Sequence, residues 1–111
     1  MSGGPIFEKL LEEEMQVCAG SGAIFEVKVS GQTPLTVKWC VDDEEVTDSD
    51  KRYILEEEDD GTYKFQIREV KVVDDENEFT IKCEASNSID TIITECCLVV
   101  EELPEGLKGC M

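Results

Sequence analysis

The stretch AIFEVKVSG, residues 23–31, puts Ala23, Phe25, Val27 and Val29 on one side of an extended chain and Ile24, Glu26 and Lys28 on the other. A period of two is what a half-buried strand requires, because successive side chains leave the backbone on opposite faces. The same alternation returns four times. PLTVKW places Leu35, Val37 and Trp39 together, and YKFQIREV places Tyr63, Phe65 and Ile67 together. FTIKCEA groups Phe79, Ile81, Cys83 and Ala85, and TIITECCLVV groups Ile92, Thr94, Cys96, Leu98 and Val100. Turn formers separate these runs at SGQTP, EEDDG, VDDEN and SNSID. Short strands at this spacing imply an all-β chain folded as a sandwich. FEKLLEEEM is ambiguous, since Leu10, Leu11 and Met15 also have helical spacing; its place beside QVCAGSG favours an edge strand with a bulge over a short helix.

A chain of 111 residues is about one domain. Its 27 acidic and 10 basic residues give a formal charge of -17, which repels a phosphate backbone or an anionic membrane surface. Most of that charge reads as solvated surface. No apolar run reaches the roughly 18 residues of a membrane span, and MSGGPIFEKL lacks the layout of a secretory signal. Cys18, Cys40, Cys83, Cys96, Cys97 and Cys110 form no CxxC pair, and there is no histidine to share a zinc site. Asp42, Asp43, Glu44 and Glu45 lack the alternating ligands and interior glycine of a calcium loop, and so do Asp74, Asp75 and Glu76. A nucleophile has no histidine to activate it, and GSGAIF opens a strand where a dinucleotide fingerprint would open a helix. The reading is non-enzymatic, with no catalytic residue, cofactor or metal expected.

Several of these segments together resemble the I-set immunoglobulin domains of the giant intracellular proteins of striated muscle, the titin, twitchin, obscurin, myomesin and myosin-binding protein C family. PIF at 5–7 is similar to the opening of such a domain. GSGAIFEVKVSG at 20–31 resembles the second strand, with Val27 where the first core cysteine usually stands and Trp39 twelve residues later at the core tryptophan. DDGTYKFQIREV at 59–70 resembles the fifth strand, CEASNS at 83–88 the sixth, and LVV at 98–100 the end of the last. The resemblance implies an I-set sandwich of two antiparallel sheets with Greek-key topology. It places a leader or expression remnant at 1–4, the domain at 5–102 and a linker or tail at 103–111.

Departures from the family pattern carry information. With Val27 facing the second cysteine position, the inter-sheet disulfide cannot form and Cys83 packs as a small hydrophobe. Such a bridge is worth about 2–4 kcal/mol, so its loss suits a reducing compartment. The corner tyrosine is also missing: Ile81 stands two residues before Cys83, or else Phe79 is its shifted equivalent and Ile81 takes the cysteine position. Asp90 occupies a place where a turn glycine is common. The expected core is Phe25, Val27, Val37, Trp39, Phe65, Ile67, Ile81, Cys83, Ala85 and Leu98. Cys40 and Cys97 point outward as ordinary thiols or redox-sensitive ones, and Cys110 lies in the tail.

What the resemblance implies for function is a mechanical and docking unit of a large cytoplasmic, sarcomeric protein. Its partners would be neighbouring immunoglobulin or fibronectin-type domains, together with myosin or another muscle scaffold protein. The isolated domain is expected to be a monomer. Segments 12–18 and 40–47 are the candidate interaction edges, represented by Glu14, Gln16, Asp42, Glu44 and Val46. Their acids serve equally well as guards against strand pairing. Two other readings are an extracellular adhesion or receptor domain and a cytoplasmic domain of an actin-associated or kinase-containing protein. The first of these usually has the disulfide and a glycosylation acceptor, and neither Asn77 nor Asn87 heads a sequon.

Overall fold

A computed structural model describes residues 3–47, 49–70 and 77–101. Asp74, Asp75, Glu76, Cys110, the tail at 103–111 and most of the VDDEN turn lie outside this set. Among the described residues nine strands run in order: β1 (Ile6–Lys9), β2 (Glu14–Cys18), β3 (Ala23–Ser30), β4 (Thr36–Val41), β5 (Glu44–Glu45), β6 (Tyr53–Glu57), β7 (Thr62–Ile67), β8 (Glu78–Ser86) and β9 (Thr91–Glu101). They form a four-stranded sheet, β1-β3-β7-β6, and a five-stranded sheet, β2-β9-β8-β4-β5. The chain crosses between sheets from β1 to β2, β2 to β3, β3 to β4, β5 to β6 and β7 to β8, so each sheet mixes strands distant in sequence. This is the sandwich that the alternation called for, with the Greek-key topology that the resemblance implied.

Inward residues of β3, β7, β8 and β9 meet between the sheets. Phe25, Val27, Phe65, Ile81, Cys83, Leu98 and Val100 are almost wholly removed from water. Each fully buried side chain of this size contributes roughly 1.5–3 kcal/mol of transfer free energy. Phe65 is the hub: its ring lies 5.7 Å from Phe25, 5.4 Å from Trp39 and 5.3 Å from Tyr53. Phe25 is its cross-strand neighbour in the same sheet, whereas Trp39 reaches it from the other sheet. Ala85, Ile67 and Trp39 are also buried, and Val37 is half-buried against the same cluster.

FEKLLEEEM is extended but is not one edge strand. β1 pairs antiparallel with β3, with a register shift between Phe7 and Lys9, while β2 pairs with β9 in the opposite sheet. Residues 10–13 carry the chain across, and the Leu11 N–H donates to Thr94 Oγ1 in β9 at 3.3 Å. Leu11 and Met15 pack on the core while Leu10 is 59% exposed, so the three never share a helical face. The β2–β9 pairing is parallel, the exception to two otherwise antiparallel sheets.

Two strands went unread in the sequence. β6 has Tyr53, Ile54 and Leu55 in succession followed by acids, a run without clean alternation, and it shows as a strand only through its hairpin with β7. That hairpin turns at Gly61, whose φ of 91° and the approach of Val29 O leave no room for a side chain. β5 follows a two-residue turn in which Asp42 and Asp43 both have positive φ, 50° and 70°. This is the turn that matches the twist of a tight hairpin, and aspartate tolerates it better than most residues. Asp90 is not among the positive-φ residues, so no glycine is required there.

Trp39→Ala removes the inter-sheet ring contact and opens a cavity beside Phe65. It is expected to cost about 3–5 kcal/mol of unfolding free energy, read from urea titration; an unchanged midpoint would show that the sheets are held together some other way.

Candidate interaction surfaces

Chemistry in a sandwich of this kind is carried by its two ends and its open strand edges. At one end the chain enters. Asn87, in the turn between β8 and β9, donates from Nδ2 to Gly3 O at 2.8 Å and to Gln32 O at 2.9 Å. Its Oδ1 accepts from the N–H groups of Ile89 and Asp90, at 2.9 and 3.1 Å. The Gln32 N–H donates to Gly3 O as well, at 2.9 Å. One amide side chain therefore ties the incoming strand to two loops. Ile89, 53% exposed, sits on the same end.

The chain leaves β9 at the opposite end, where the Ala19 N–H donates to Glu101 O at 2.8 Å and the Gly20 N–H to Val70 O at 2.7 Å. Entry and exit are separated by the length of β3, eight residues or about 27 Å at the usual rise per residue.

The two candidate edges differ in quality. β2 is an outer strand of the five-stranded sheet, and Glu14 and Gln16 are exposed on it, linked by a 3.2 Å hydrogen bond from Gln16 Nε2 to Glu14 Oε2. Segment 40–47 is mostly not an edge. β4 lies inside the sheet between β8 and β5, leaving the two residues of β5 as the rim. Glu44 is exposed there. Val46 is 7% exposed and its N–H donates to Trp39 O at 2.8 Å, so it belongs to the core and offers no edge group. Asp42 is occupied too: its N–H donates to Thr80 O and its Oδ1 accepts from the Thr80 N–H, at 2.9 and 2.8 Å. The Asp42 main chain and side chain thus divide the two peptide groups of Thr80 between them.

Charges on the surface are mostly isolated or loosely paired. Arg52 grips Asp50 at 2.8 Å and stacks 5.1 Å over the Tyr53 ring, and this guanidinium holds the Asp50 carboxyl down at about 2. Lys82 lies 3.4 Å from Asp43 and 3.8 Å from Glu95 across the outer face of the five-stranded sheet. A cleft of about 480 Å3 opens between the sheets, walled by Val41, Ile67, Phe79 and Leu98 with Lys51, Arg52 and Arg68 beside it. Among the described residues that line it, none is a nucleophile placed next to a base. Among the described residues no group of three or more cysteine or acidic side chains is placed to hold a metal.

Cys40, Cys83, Cys96 and Cys97 are free thiols. Cys83 lies across from Trp39 and Ile81 across from Val41 in the β4–β8 ladder, and both are wholly buried. Burial pushes the Cys83 thiol up to about 12, and burial with the nearby Glu45 carboxylate raises Cys40. Cys96 points inward and its thiol is raised by burial, while Cys97 is half-buried on the outer face. A raised thiol is a poorer nucleophile at neutral pH, and Cys83 is in addition closed to solvent.

Comparison with known proteins bears on this geometry. The model of the immunoglobulin I-set domain matches residues 5–100. The muscle M-line assembly protein unc-89 of Caenorhabditis elegans is 37% identical over 93 residues, a match that takes in 84% of this chain and 1% of that protein. The chain thus spans a very small part of this relative. Among solved structures, the titin M3 domain superposes with a TM-score of 0.76 at 26% identity, over 88% of this chain and 97% of that one. The Ig1-2 module of the Drosophila receptor protein tyrosine phosphatase DLAR superposes at 0.80 with 20% identity, over 91% of this chain and 50% of that one, a likeness of fold alone.

Two outcomes are expected from these sites. Because the Cys83 pKa is raised on folding, its contribution is complete below the ordinary thiol value of 9.0 and is lost as pH rises toward about 12. Native protein at pH 8 should leave Cys83 unalkylated by iodoacetamide while unfolded protein reacts, with mass mapping as the readout. Asn87→Ala should cost about 1–2 kcal/mol and speed amide exchange at Gln32; unchanged exchange would mean that the entry strand is held elsewhere.

Proposed function

The chain belongs to the immunoglobulin I-set family, and on that premise we propose that it is a non-catalytic structural and protein-binding module of a large muscle filament or scaffold protein. The observation that carries this reading is the 37% identity to a muscle M-line assembly protein across 93 residues. Its geometry supports a link in a series. The chain enters at the Asn87 end and leaves at the Glu101 end, so a neighbouring domain on either side continues the long axis. Residues 5–102 form the link, with 103–111 as the connection onward.

A core without a bridge between its sheets suits a reducing cytoplasm, where a disulfide would add nothing. Docking partners in this reading are adjacent immunoglobulin or fibronectin-type domains and a muscle protein such as myosin, met at the β2 and β5 edges. Glu14, Gln16 and Glu44 are the edge residues proposed to face them.

An antibody raised against this chain tests the assignment in permeabilised striated muscle. The expected label is a transverse band repeating once or twice per sarcomere. Labelling of intact cells at their outer surface would instead establish the adhesion or receptor reading, and a diffuse cytoplasmic signal would favour an actin-associated or kinase-linked protein.

A further inference from the structure

The edges of the two sheets are not equivalent. β5 offers two residues, and β1 is interrupted by its register shift. β6 is five residues long and spends the Tyr53 N–H on Asp50 O, but Leu55 and Glu57 turn their peptide groups away from β7, so it is an open edge too, flanked by Lys51 and Arg52 and paired with Lys64. β2 is the open edge whose neighbouring charge is acidic alone. At its lower end the Cys97 N–H donates to Glu13 O at 2.9 Å, and past its upper end the Ala19 N–H donates to Glu101 O at 2.8 Å. A parallel ladder engages alternate residues of a strand on one side. Glu13, Met15, Val17 and Ala19 therefore turn their peptide groups toward β9, and the peptide groups of Glu14 and Gln16 turn to solvent. Two N–H donors and two C=O acceptors stand in a row with no ladder partner among the described residues.

Side chains sort by face along the same strand. Met15 and Val17 pack on the core from β2 and are half-buried, so a strand laid beside them would gain apolar contact on that face. Glu14 and Gln16 lie on the outer face, level with Cys97 and Val99 of β9. The charge here has one sign. Segment 10–18 carries Glu12, Glu13 and Glu14, segment 91–101 carries Glu95 and Glu101, and neither contains a lysine or arginine. Two copies of this edge would repel each other, which removes self-pairing as its use.

Resting on the docking reading above, we propose that the β2 edge accepts an extended basic segment of another protein as an added strand, with lysine or arginine at alternate positions along the outer face and small apolar residues between them over Met15 and Val17. Main-chain bonds to Glu14 and Gln16 supply the affinity. The glutamates supply selection by charge, and they do so in proportion to the salt present.

An eight-residue acetylated peptide of alternating lysine and valine is the probe, titrated into the 111-residue chain with its alternating glutamate–valine counterpart as control. The expected result is binding of the lysine peptide alone, weakened by salt, with slowed amide exchange at Glu14 and Gln16. Gln16→Pro removes one outward donor that the fold does not use, so it should weaken binding about tenfold while the thermal midpoint stays near that of the parent. A second variant, Glu12→Lys/Glu13→Lys/Glu14→Lys, keeps the backbone and should abolish lysine-peptide binding and admit the glutamate peptide. No binding, protection mapped to Glu44 and Glu45 instead, or equal binding by Gln16→Pro would each overturn the proposal. Sarcomeric labelling is read independently, so its success or failure does not depend on these titrations.

Discussion

Everything in this domain depends on the contact between Phe65 and Trp39, because it is where the two sheets, with no disulfide joining them among the described residues, are held face to face. Phe65 is wholly buried and collects three rings from β3, β4 and β6. Offset and tilted aromatic pairs at these distances add about 0.5–1.5 kcal/mol each beyond the area they bury. Only the Trp39 pair spans the two sheets, so it adds less than the about 2–4 kcal/mol of a typical disulfide, and buried apolar area supplies the rest of the hold. Val27 and Cys83 then need only fill volume, and both do so at 0% exposure. A protein stabilised this way is indifferent to thiol reductants at its centre.

The surfaces that remain for function follow from how that core is closed. Sheets must end somewhere, and here the ends are unequal: β5 is too short to act as a template, β1 is broken, β6 has lysine and arginine beside its open groups, and β2 has outward peptide groups beneath a run of glutamates. The crossing of residues 10–13 creates that situation, since it takes a strand from one sheet and lays it parallel to β9 in the other. The same economy is visible at the entry, where Asn87 satisfies two carbonyls and two N–H groups at once. The incoming strand is thereby fixed to two loops at that end.

Much of this was legible in advance where one face of a strand is apolar and the other polar. β3, β7, β8 and β9 announced themselves because their alternation is the imprint of a half-buried sheet, and Trp39 with Val27 located the core between them. β6 was not legible, since its three consecutive apolar residues break the period and its pairing depends on β7. Val46 was misjudged as an edge residue because acids surround it in sequence; its place opposite Trp39 is decided by the Asp42-Asp43 turn, whose positive φ angles no hydropathy pattern encodes. FEKLLEEEM was rightly read as extended, but its division between two sheets was invisible, because the bond from Leu11 to Thr94 joins residues 83 apart.

The sequence by itself determined the class of fold, the absence of a disulfide across the core, the acidic surface and the lack of histidine-based chemistry, since each of these depends only on which residues are present and on local periodicity. Tertiary structure decided which strands became edges, which direction β2 runs against its neighbour and which peptide groups were left to solvent. The reason is physical: an edge is defined by the neighbour a strand lacks, and neighbours in a Greek-key sandwich are chosen by contacts far apart in the chain.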